Sequence, residues 1–110
     1  MTDTIATLAE VETAINQAAT EGLPRPTWQT VGVNHGNHGP FINLGLNTPA
    51  DVDRWAAHVN ATVGYGDCTY TPAVGAPFHE YGTNAPGSVY GRWLGRTVYV
   101  SCQVPGPHPA

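Results

Sequence analysis

The sequence predicts an α+β fold in which two helices shield one face of a mostly antiparallel sheet. Three observations carry that prediction: two stretches with apolar residues at helical spacing, several runs that alternate apolar and polar, and connectors between those runs built from turn residues. Connectors that short join antiparallel neighbours, so the helices are free to pack together on one side.

The first helix runs to about Thr20, with Asp3 or Thr4 placed to cap it and Thr7 with Glu10 offering a second capping pair a turn later. Ile5, Leu8, Val11, Ile15 and Ala18 recur three or four apart and are expected to form its buried face. Gly22 suits the left-handed position after a helix, and Pro24 suits the segment just beyond a helix stop. From Thr27 to Asn34 the chain alternates, Gln29, Val31 and Val33 opposing Trp28, Thr30 and Gly32. Phe41 to Leu46 alternates again, with Ile42, Leu44 and Leu46 on one face. The Gly/Asn/His link between them makes a hairpin.

The second helix is written most plainly. Thr48 is its N-cap, Pro49 suits the first turn, and Asp51 and Asp53 place negative charge at the positive end of the dipole. Val52, Trp55, Ala56 and Val59 then form one apolar stripe. Strands follow from Val63 to Tyr70, briefly from Phe78 to Tyr81, and from Val89 to Trp93. Leu94-Gly95 turns the last of these into the valine-rich run Val98 to Val104. Glycines at 32, 45, 64, 66 and 91 mark bulges or close approach of helices and rings to the backbone. Residues 1–104 read as one domain and 105–110 as a disordered Pro-rich tail.

Composition bounds the function. At 110 residues, with net charge -4 and no lysine, the chain carries no basic patch for phosphate backbones or anionic membranes. No leader-like segment opens the sequence, so a cytoplasmic location is expected, with Cys68 and Cys102 as reduced thiols. If their strands are neighbours a Cys68–Cys102 bridge is within reach, which gives the alternative of an extracytoplasmic domain.

The chemistry-bearing residues are few. His35 and His38, spaced H-x-x-H in the hairpin loop, define an alternative metal site if His79 or a cysteine joins them, and with it a small metal-binding protein or hydrolase. His79 and Glu80 are adjacent, but on a strand they point to opposite faces and cannot act on one atom. The acids of the second helix are explained by its dipole, so no paired carboxylates, catalytic residue or cofactor is expected. Tyr90, Arg92, Trp93 and Tyr99, in a background poor in charge and on the face away from the helices, fit a protein interface, with Arg96 close by.

The helix ending in Gly22-Leu23-Pro24, the hairpin, the Trp-bearing helix after Asn47-Thr48-Pro49, and the glycine turn of Gly91-Arg92-Trp93-Leu94-Gly95-Arg96 feeding a last valine-rich strand together resemble small orphan α+β proteins of actinobacteria and their phages. That resemblance implies a cytoplasmic accessory protein, phage or prophage encoded, that acts by binding a protein partner or by self-association.

Overall fold

The computed structural model describes residues 5–34, 39–70 and 78–105, with side chains at all of these except 67–70. The elements are α1 (Leu8–Thr20), β1 (Trp28–Gly32), β2 (Phe41–Leu46), α2 (Pro49–Val59), β3 (Gly64–Tyr70), β4 (Phe78–Gly82), β5 (Gly91–Trp93) and β6 (Arg96–Pro105). The fold is α+β, with one sheet ordered β1-β2-β6-β4-β3 and β5 added against β6.

Local chemistry sets the helix boundaries. At α1 the second capping pair operates: Thr7 Oγ1 accepts from the Glu10 amide at 3.2 Å and the Glu10 carboxylate accepts from the Thr7 amide at 3.0 Å. Those bonds hold the Glu10 carboxyl below its ordinary range, the Thr7 backbone amide contributing most. Val11, Ile15 and Ala18 are buried, whereas Ile5 and Leu8 are exposed. The face is shorter than its periodicity suggested because the helix begins at Leu8, leaving Ile5 outside it and Leu8 in its first turn. Helix α2 starts at the Thr48 cap and ends at Asn60 in a left-handed conformation. Trp55 Nε1 donates to Pro24 O at 2.7 Å and Arg54 Nη2 donates to Gly22 O, which ties α2 to the exit of α1.

Alternation then divides the sheet into two faces. On one, Ile42, Leu44 and Leu46 of β2 stand in register with Val98, Val100 and Cys102 of β6, and both helices bury their stripes there in a single core. Their shared burial is the main source of stability, at about 25 cal/mol per Å² of apolar surface removed from water. Both edges of β6 are occupied. It lies parallel to β2, while its other edge is divided between β5 and β4. Short connectors alone would have given antiparallel neighbours throughout. The parallel pair arises because β6, last in the chain, enters between β2 and β4. It extends to Pro105, one residue past the expected domain end.

Two devices fix this insertion. The β5–β6 hairpin turns at Leu94 and Gly95, both at positive φ (57° and 77°), as a tight two-residue turn requires. Leucine is costly there, and it is retained by partial burial against the core and by the Ala6 amide donating to Leu94 O at 3.0 Å. The second device is Arg96, 94% shielded from solvent. Its guanidinium donates to Ala6 O (Nε 2.9 Å, Nη2 2.7 Å) and to Gly32 O (Nη1 2.6 Å), joining the segment before α1, the end of β1 and the start of β6. Arg96 is therefore a structural clasp, not a rim charge beside an interface. Neither described helix is long and apolar enough to cross a membrane.

Candidate functional site

The face of the sheet away from the helices carries the features that invite a ligand. By register it presents Trp28 and Thr30 from β1, Phe41, Asn43 and Gly45 from β2, the odd-numbered residues Thr97 to Gln103 of β6, and Glu80 from β4. Two aromatic rings lie over glycines on the neighbouring strand. An added Cβ at Gly45 would stand 2.1 Å from the Trp28 indole, and one at Gly32 would stand 2.4 Å from the Phe41 ring. The glycines at these positions are thus seats for rings, and any larger residue would displace them.

Of the four residues expected at an interface, the structure gathers three on this face. Tyr99 is buried beneath Tyr90 (ring centroids 4.7 Å apart) and beside Phe41 (6.3 Å). Burial, then the neighbouring Tyr90, pushes its phenol above the ordinary tyrosine value. Arg92 is exposed and donates to Thr97 Oγ1 at 3.0 Å. Trp93 is on the opposite face. Paired with Arg96 across the turn, it packs at 5.5 Å from both Trp55 and His58, which are themselves 5.5 Å apart. Tyr99 is therefore covered by its own chain, and Trp93 belongs to the helix layer.

His35 and His38 lie outside the described residues. His79 is buried on the helix side, its ring 5.3 Å from Tyr65, while Glu80 faces the other way, as strand alternation requires. Among the described residues no three His, Cys, Asp or Glu side chains cluster in a metal-binding arrangement. Strand β4 lies between β3, which carries Cys68, and β6, which carries Cys102, so the two cysteines are not on neighbouring strands. Cys102 is a buried free thiol. Burial first, then the carboxylates of Asp51 and Asp53, pushes it up to about 11, which leaves little thiolate at neutral pH. Nearby, Tyr81 donates to Asp53 Oδ1 at 2.5 Å, and that bond, reinforced by burial, raises its phenol to about 12.

Two features of the open face were not anticipated. The first is a cleft of about 400 Å³ walled by Trp28 at one end and Glu80 at the other, with Asn47 and Gln103 along it and Gly45 and Ser101 in its floor. The second is the outer edge of β1. Among the described residues β1 pairs with β2 alone, and Trp28, Gln29 and Thr30 are all exposed. The strand Trp-Gln-Thr-Val-Gly holds no charge, no proline and no bulge, the devices by which sheet edges are normally blunted. That β1 holds no charge and no proline was visible in the sequence. Its place at the edge was not.

Compared with known proteins, the chain matches no family model, no curated protein and no solved structure.

Proposed function

We propose that this protein is a small accessory protein that acts by binding rather than by catalysis, and that its first binding surface is the outer edge of β1, occupied by a second copy of the same chain. The single observation behind this reading is that, among the described residues, this edge is unpaired and carries no charge, proline or bulge. Alternate residues of an edge strand direct N–H and C=O groups outward, and an extended strand laid alongside completes their hydrogen bonds. The strand suits itself as partner. Paired antiparallel about a two-fold axis through Thr30, Trp28 of one copy faces Gly32 of the other, Gln29 faces Val31, and Thr30 faces Thr30. A threonine pair is favourable, and no like charges oppose. The cytoplasmic setting and the phage or prophage source suggested by the order of elements belong to the same proposal.

Mass in solution tests it. Sedimentation equilibrium across a wide concentration range is expected to show a monomer of 11.6 kDa passing to twice that mass. Thr30→Lys, which sets two ammonium groups against each other at the axis, is expected to hold the chain monomeric without changing its fold, since Thr30 is exposed. A monomer at every concentration overturns the proposal. A dimer indifferent to Thr30→Lys removes the contact from β1.

A further inference from the structure

The cleft on the open face has a chemistry of its own, although it shares Trp28 with the edge of β1. We propose that it is a site for an organic cation, an ammonium or guanidinium group on a short apolar stem.

The space exists because of register. Trp28, Gly45 and Ser101 stand in one row across β1, β2 and β6, so beyond the Trp28 ring, which covers Gly45, the face carries only the small Ser101 side chain. What remains is about 400 Å³, within the range of about 300–1,000 Å³ common to small-molecule sites.

The lining selects the charge. Among the described residues no basic side chain borders the cleft, and its polar groups there are amides, hydroxyls and the carboxylate of Glu80. That carboxylate is half-buried, and its Oε2 accepts from Asn84 Nδ2 at 2.8 Å. A neutral donor fixes its direction, and among the described residues no cation lines the cleft to compensate its charge. In a chain of net charge -4 an anion is repelled here, whereas a cation gains a charge-assisted hydrogen bond. At the other end, the half-exposed indole of Trp28 (49%) offers a π surface that attracts cations and accommodates an alkyl stem. The ring lies over Gly45 on β2, and Glu80 is two strands further on and two residues along, about 12 Å by strand spacing and rise. A head group at Glu80 with its stem directed toward Trp28 spans that interval.

The test uses the intact chain and two ligands of equal shape, n-butylguanidinium and its neutral analogue n-butylurea, with glucose as an uncharged polyol. Binding is followed by the NMR shift of the Trp28 indole N–H. A saturable shift is expected with n-butylguanidinium, about tenfold or more weaker with n-butylurea and in Glu80→Gln, and absent with glucose. Gln103→Glu, which adds a second carboxylate opposite Glu80, is expected to tighten binding. Unchanged affinity in Glu80→Gln or in Gln103→Glu, equal binding of the urea or of glucose, or no saturable shift at all would each overturn the assignment. The gain expected of Gln103→Glu keeps the test decisive if Glu80→Gln disturbs folding.

Discussion

Thr83→Val probes how the sheet accommodates its last strand. The outer edge of β6 is divided, with β5 pairing Arg96 to Val98 and β4 pairing Ser101 to Pro105. Between them Val100, fully buried, has its backbone groups satisfied by Thr83, which is 2% exposed. The Thr83 amide donates to Val100 O at 2.9 Å, and Thr83 Oγ1 accepts from the Val100 amide at 3.2 Å. Valine keeps the shape of threonine and removes the oxygen, so the Val100 N–H is left buried with no acceptor. An orphaned buried donor costs about 1–3 kcal/mol, or about 4–12 °C in melting temperature for a chain of this size. Thr83→Ser keeps the oxygen and gives up one methyl, at about 1 kcal/mol. Denaturant unfolding gives the energies, and amide hydrogen exchange identifies the site. Val100 is expected to lose protection in Thr83→Val and to retain it in Thr83→Ser. A Thr83→Val protein as stable as the parent, with the Val100 amide still slow to exchange, would refute the reasoning.

Two further outcomes rest on polar side chains held within the fold. Arg96→Lys keeps the charge but loses the fork that reaches Ala6 O and Gly32 O together, and is expected to cost about 2–4 kcal/mol in denaturant unfolding, with faster exchange at the Ala6 amide; a loss below about 0.5 kcal/mol would show that the clasp contributes little. Tyr81 gives an alkaline signature. Its phenol, raised to about 12 in the folded chain by the bond to Asp53, ionises near 10 when unfolded, so its contribution to stability is complete below about pH 10 and is lost as pH rises toward 12. Tyr81→Phe should flatten that part of the alkaline stability curve. Asp53→Asn should return the late-titrating phenol, followed by phenolate absorbance, toward the ordinary value, and an unchanged titration would remove Asp53 as the cause.

Much of the fold was legible because it is local. The Thr48-Pro49 helix start, the two-residue period of Phe41–Leu46 and Val98–Val104, and the Leu94-Gly95 turn all depend on neighbours a few residues away. What could not be read was which strands lie side by side. Ile42 facing Val98 in parallel depends on β6 entering between β2 and β4, a tertiary choice with no short-range signal. The separation of Cys68 from Cys102 and the small-residue row beneath the cleft come from that same choice. Trp93 is a different case. A two-residue turn at Leu94-Gly95 places Trp93 opposite Arg96, and Arg96 shares its face with Val98, so alternation alone assigns Trp93 to the helix side. Glu80 stands out in the sequence only as the neighbour of His79. Its significance appears once the opposite face is recognised as a cleft.

The binding role depends on β1 being an edge that a second copy completes. Isotope-filtered NOEs on a mixture of labelled and unlabelled chains, at a concentration where the mass has doubled, test that directly. Contacts between Thr30 and Thr30, and between Trp28 of one copy and Gly32 of the other, are the expected result. Intermolecular contacts that bypass β1, or none at all, would contradict it.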